Sequence, residues 1–162
     1  RQMDIFWYLR KMLKIWSLAA MLLMTMVACN NKNHGGPSDS GSLDKIQQEW
    51  ELVSVNGVAV DFKVYISFTD GTFAMYQQLY SLDYKFFDGE YSVSGNTLSG
   101  SYFSGEAWKC DYTGGITNGD KTLTLKSKDK NSITCVYEAC VIPEDVKAEA
   151  TSTRSADFVP FL

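Results

Sequence analysis

Lys63-Val64-Tyr65-Ile66-Ser67-Phe68-Thr69-Asp70-Gly71-Thr72-Phe73-Ala74-Met75-Tyr76-Gln77-Gln78-Leu79 holds the hairpin from which the architecture follows. Val64, Ile66 and Phe68 recur at every second position, and Phe73, Met75 and Leu79 keep the same parity after the turn. Successive strand side chains point to opposite faces, so a period of two puts these six on one side of a sheet. Between the runs stands Asp70-Gly71. A tight hairpin turn needs positive φ at both central residues, which Asp-Gly and Asn-Gly tolerate best.

The same grammar repeats along the chain. Asn56-Gly57 and Asn118-Gly119 are equally strong turn signals, with Asp88-Gly89 and Gly95-Asn96 weaker ones. Between them the sequence predicts eight strands: Trp50 to Val55, Lys63 to Thr69, Thr72 to Leu79, Gly89 to Ser94, Thr97 to Ser104, Ala107 to Thr113, Lys121 to Ser127 and Ser132 to Ala139. Tyr91 and Val93, Leu98 and Tyr102, Leu123 and Leu125, and Ile133 and Tyr137 extend the apolar face, while Thr122-Thr124-Lys126 typifies the wet one. One buried and one wetted face over eight sequential strands predicts an all-β, up-and-down barrel, which closes its own edges and can be filled or hold one small ligand.

Trp50-Glu51-Leu52-Val53-Ser54-Val55-Asn56-Gly57 resembles the opening strand of the lipocalin-like domain of Bacteroidetes lipoproteins. Ile66-Ser67-Phe68-Thr69-Asp70-Gly71, Gly89-Glu90-Tyr91-Ser92-Val93 and Leu123-Thr124-Leu125 fit the same pattern, so the likeness covers roughly Lys45 to Ile142. Where that family has Gly-Thr-Trp, this chain has Gln48-Glu49-Trp50, which puts the first turn in question. The resemblance implies a small lipocalin-like barrel with an apolar ligand site. It implies no particular ligand and no catalysis.

Phe68, Phe73, Met75, Tyr91, Tyr102, Trp108 and Tyr137 are the candidate ligand-binding residues, the alternative being that they simply fill the interior. Gln77 to Phe87, polar, aromatic and longer than a tight turn, is the candidate mouth loop. After Pro143 the pattern changes. Glu144 to Ala150 predicts a short helix with acids in its first turn. Asp157 to Leu162 is apolar enough to dock on the barrel, as a lid over an open end or as a strap.

Ahead of the barrel, Arg10, Lys11 and Lys14 precede fourteen positions, Ile15 to Ala28, that are apolar apart from Ser17 and Thr25. That is short of the roughly 20 apolar residues a membrane-spanning helix needs. With Ala28 before Cys29, the segment resembles a bacterial lipoprotein signal, which implies cleavage and a lipid on Cys29. A retained anchor and a buried helix are the rival readings. Met12 reads as the start, which would set aside the first eleven residues, Phe6-Trp7-Tyr8 among them.

The organisation expected is therefore a signal peptide over 1–28, lipidated Cys29 with a tether over 29–42, a barrel over 43–142 and a tail over 143–162. Asn30 to Ser42 carries no aliphatic or aromatic side chain and reads as a flexible linker. Acidic residues close behind the lipid cysteine direct such lipoproteins outward. Here the first is Asp39, so the resemblance implies an outer-membrane protein facing the periplasm, with surface exposure as the alternative.

From Cys29 onward eleven Lys and Arg face eighteen Asp and Glu, a net charge of −7 with His neutral. Nucleic acid is a poor partner for an acidic chain whose only arginine beyond Cys29 is Arg154. The membrane, reached through the lipid, and a small hydrophobic ligand are the partners expected. No protein partner is legible.

Cys110, Cys135 and Cys140 are the candidates for a disulfide, Cys110 with Cys135 or with Cys140. Three thiols cannot all pair, and burial in the reduced form is the competing reading. The lone histidine, His34, lies in the tether, and no Cys-x-x-Cys pair is present, so neither a metal nor a cofactor is expected. A nucleophile would lack a nearby base, so no catalytic residue is assigned. Glu49, Glu51, Asp83, Asp88, Glu90, Glu106 and Asp111 fall in turns or on the wet face, which keeps glycan hydrolysis a remote alternative. The sequence thus predicts a non-catalytic, membrane-anchored binder of a small apolar or amphipathic molecule. The contrasting class is a structural or interaction module of the cell envelope with a packed barrel, and an internal cavity would separate the two.

Overall fold

The computed structural model describes residues 41–79, 81–152 and 158–162. The signal segment, Cys29, the tether as far as residue 40 and Tyr80 lie outside the described residues.

Among the described residues ten strands and one helix follow in order: β1 (Glu49–Val55), β2 (Val58–Ala59), β3 (Lys63–Thr69), β4 (Thr72–Gln78), β5 (Lys85–Ser94), β6 (Thr97–Tyr102), β7 (Tyr112–Thr117), β8 (Thr122–Ser127), β9 (Thr134–Ala139), α1 (Glu144–Glu149) and β10 (Thr151–Ser152). β1 pairs with β3, each strand from β3 to β9 pairs with the next, and β9 returns to β1, all antiparallel. That circuit is a closed eight-stranded up-and-down barrel. β2 folds back on the end of β1, and β10 runs parallel to Lys85 and Phe86 of β5.

Asn56-Gly57, Asp70-Gly71 and Asn118-Gly119 all take positive φ at both residues, as their turn chemistry requires. Asp88-Gly89 is different. It lies inside β5, and a Cβ on Gly89 would sit 2.0 Å from the Ser101 carbonyl oxygen, so the glycine marks a close backbone approach between β5 and β6, not a hairpin tip. The expected sixth strand is displaced as well. Ala107 to Asp111 is loop, tied down by one bridge from Ala107 to Ser101, and the strand runs instead from Tyr112 through Gly114 and Gly115 to Thr117.

The interior is one apolar cluster built from the inward parity of every barrel strand, including Trp50, Leu52, Ile66, Phe68, Met75 and Tyr137. Burying a large apolar side chain contributes roughly 1.5–3 kcal/mol, so this cluster dominates stability. Val93, read as inward, is instead exposed. At the end of the barrel formed by the β3–β4 and β5–β6 turns, the bend Leu43–Ile46 tucks in Leu43 and Ile46, and Trp50 Nε1 donates to the Ile46 carbonyl at 2.9 Å. The Ser42 carbonyl accepts from Ile116 N, so Gly41 and Ser42, read as the end of the tether, lie against β7.

The outer face is not uniformly polar. Tyr65, Ile142 and Val146 form a second buried cluster, flanked by Tyr76, Tyr84 and Cys140, where α1 packs on β3 and β4. Glu49 organises it: Oε2 accepts Ile142 N at 2.7 Å and Oε1 lies 3.1 Å from Lys147 Nζ. The departure from the Gly-Thr-Trp pattern thus attaches the helix to the barrel.

Candidate functional site

The loop-bearing end of the barrel is closed by a separate piece of chain. Residues 158–162 lie over it, and Leu162 is buried with 1% of its surface exposed. Gln77, on the last turn of inward parity in β4, is 2% exposed and grips the segment twice: Nε2 donates to the Val159 carbonyl at 3.0 Å and Oε1 accepts Phe161 N at 2.8 Å. Tyr102 Oη donates to the Leu162 carbonyl at 2.7 Å, and Lys109 Nζ donates to the Pro160 carbonyl at 2.9 Å. Phe161 packs on Phe62 at a ring separation of 6.3 Å, and Lys85 Nζ sits 4.7 Å from the Phe158 ring centre. The expectation that Asp157 to Leu162 docks on the barrel is met from Phe158 onward.

Gln77 and Lys85 stand where the candidate mouth loop was read, as the ends of β4 and β5 flanking it. Signals for Gln77 were present. A polar residue at an inward position between Met75 and Leu79 needs a partner, although sequence alone does not name a segment 84 residues away.

Six of the seven predicted ligand residues, Phe68, Phe73, Met75, Tyr102, Trp108 and Tyr137, converge in the interior, where they pack on one another. Phe73 meets Tyr102 and Trp108 edge-on at 5.6 and 5.1 Å, and Trp108 meets Tyr112 at 6.0 Å. Trp108 is in a loop but turns inward over Gly100, where a Cβ would come within 2.5 Å of the indole. Tyr91 is half-buried and stacks on Phe68 at 4.8 Å. It alone among the seven lines an open depression of about 1170 Å³ at the turn end, bounded by Leu43, Ile46, Gly71, Asn96 and Thr113.

Polar groups gather under residues 158–162. Burial pushes the ionisation of Tyr102, Tyr112 and Tyr137 up. Among the described residues two buried donors have no partner: Trp108 Nε1 and Tyr137 Oη.

Cys110, Cys135 and Cys140 are free thiols. Cys110 and Cys135 face the interior, whereas Cys140 belongs to the outer cluster with Tyr65 and Val146, so the barrel wall separates it from both. Burial raises the Cys135 thiol to about 12 and the Cys140 thiol to about 11. Among the described residues no three metal-ligating side chains cluster. Asp44 is the one carboxylate lining the depression, and Glu49 and Glu51 are engaged on the outer face by Lys147 and Lys63.

A closed up-and-down barrel plugged at its turn end and strapped at its loop end is lipocalin-like in architecture, as the Trp50-to-Gly57 resemblance implies. Two solved structures are similar. A lipocalin-like protein from Bacteroides uniformis ATCC 8492 aligns with TM-score 0.48 and 17% identity over 59% of this chain and 99% of its own. An uncharacterized protein from Bacteroides eggerthii DSM 20697 aligns with TM-score 0.45 and 14% identity over 57% and 98%. No protein-family model matches the chain, and no curated protein does.

Proposed function

We propose that this protein is a non-catalytic, lipid-anchored barrel of the cell envelope that binds a small apolar or amphipathic molecule through its loop end. The observation that carries the reading is the seat of residues 158–162. A stretch of chain, held mainly by side-chain to backbone hydrogen bonds from Gln77, Tyr102 and Lys109, fills the position a ligand would take. Such a covering can be exchanged without unpairing any barrel strand. Anchoring rests on the Ile15-to-Cys29 signal, with the outer membrane facing the periplasm as the site.

Native mass spectrometry of protein gently extracted from its own envelope tests the binding. A reproducible added mass that vanishes on denaturation is expected. In parallel, Cys29→Ala should move the protein out of the membrane fraction, and an unchanged distribution would sink the anchor.

One observation favours the other class, a packed interaction module. Phe68, Met75 and Tyr137 are at most 1% exposed and leave the interior filled while residues 158–162 are seated. A bare mass from envelope-extracted protein would favour that module.

A further inference from the structure

Trp108 Nε1 and Tyr137 Oη stand out because buried donors are almost always paired, and an orphaned one costs about 1–3 kcal/mol. Both lie in the apolar cluster of which Leu162 is also a member. The Trp108 ring packs on Tyr112, and Phe73 bridges Trp108 to Tyr102, whose hydroxyl holds the Leu162 carbonyl. Residues 158–162 therefore satisfy Tyr102 and leave two further donors waiting for an acceptor.

The charge of that acceptor follows from what surrounds it. Among the described residues the buried polar side chains are Gln77 and Ser127, and no buried lysine or arginine is present. Lys109 Nζ, partly desolvated on the Pro160 carbonyl, and Lys85 Nζ, beside the Phe158 ring, are cations of the covering segment's seat and not of the apolar cluster that holds the two donors. An anion carried down to two neutral donors would be desolvated without a counter-charge, a cost that two hydrogen bonds do not offset. A neutral oxygen carries no such penalty.

Resting on the reading that residues 158–162 yield their seat to a ligand, we infer that the ligand is a neutral, largely apolar molecule whose carbonyl-type oxygen accepts a hydrogen bond from Tyr137 Oη, with Trp108 Nε1 as a second unpartnered donor of the same cluster. The structure thus assigns a head-group subsite within the interior and a discrimination against carboxylates. Leu162 and Phe161 are the side chains the ligand's apolar body replaces.

The test uses the full chain carrying Phe161→Ala and Leu162→Ala to loosen the covering, with and without Tyr137→Phe, titrated with decane, 2-decanone and decanoate at pH 8. Binding is read from tryptophan fluorescence. The ketone should bind about tenfold tighter than decane, the worth of one good hydrogen bond. Decanoate should bind no tighter than decane. Tyr137→Phe should abolish most of the ketone's advantage and leave decane unchanged, and because its hydroxyl has no partner this variant should fold at least as stably as its parent. Equal binding of ketone and decane, or a ketone advantage untouched by Tyr137→Phe, would overturn the inference and leave the donors to a trapped water. Tighter binding of decanoate would overturn the neutral head. Binding of none of the three would defeat the ligand reading itself.

Discussion

Gln77 accepts the backbone N–H of Phe161 at 2.8 Å from 84 residues away, and the same side chain donates to Val159 at 3.0 Å. A single buried amide thus fixes the segment that covers the loop end of the barrel. Tyr102 and Lys109 each hold one further carbonyl of residues 158–162, whereas Gln77 holds two of their backbone groups, so its contact is the one whose loss should most readily open the end.

Gln77→Ala should release the covering segment without opening the barrel. The loss of two hydrogen bonds at a buried site costs about 1–3 kcal/mol. The readout is hydrogen exchange: the Phe161 amide should lose protection while amides of β3 and β8 keep theirs. Loss of protection throughout would mean that the covering segment is part of the folding core.

Glu49→Ala should loosen α1 and leave the barrel intact. Glu49 loses its bond from Ile142 N and its pair with Lys147, and since that pair is partly solvated the first loss should dominate at about 1 kcal/mol. Accordingly Lys147→Met should have a much smaller effect on thermal unfolding than Glu49→Ala. Equal effects would assign the attachment to the ion pair.

Gly100→Ala should displace Trp108, because a Cβ there falls 2.5 Å from the indole. The ring has to leave its place on Phe73 and Tyr112, at a cost of a few kcal/mol for disrupted core packing. Trp108 fluorescence should shift to the red. An unshifted spectrum would show that the loop from Phe103 to Asp111 can adjust around the added methyl group.

Alkali should unfold the protein by a definite route. Cys135 ionises in the native protein only near 12, against 9.0 ordinarily, and burial raises Tyr102, Tyr112 and Tyr137 above their usual 10.0. Each group is held in its neutral form by folding, so its contribution is intact below pH 9 and drains away as pH climbs from about 9 toward 12. Chemical denaturation midpoints should therefore be flat up to pH 9 and fall beyond it. Absorbance at the tyrosinate band should rise late and together with loss of structure, whereas early, gradual ionisation of every tyrosine would contradict the burial. At pH 8 a thiol reagent should spare Cys135 and react slowly with Cys140.

Much of this architecture was legible in a single chain because its signals are local. Val64, Ile66, Phe68, Phe73 and Met75 announce the inward face, and Asn56-Gly57, Asp70-Gly71 and Asn118-Gly119 announce the turns, since alternation and positive φ depend only on neighbouring residues. The same reading failed at Asp88-Gly89, taken as a turn, and at the strand expected from Ala107 to Thr113, which runs instead through Gly114 and Gly115. There glycine answers to a distant backbone, Ser101 in one case and Gly41 in the other, and no local signal distinguishes a close approach from a turn.

The residue pattern alone established an all-β chain with one apolar face per strand, a short helix after Pro143 and an apolar final stretch able to dock. What it left open was settled by contacts between residues far apart: closure of β9 onto β1, the seating of residues 158–162 on Gln77 and Tyr102, and the choice of Glu49 as the anchor of α1. It also left open that the predicted ligand residues would pack on one another and strand two donors among them. Periodicity records which way a side chain points. How far it reaches, and whether its polar atom finds a partner across the barrel, is set by the three-dimensional distance between strands that the chain order keeps apart.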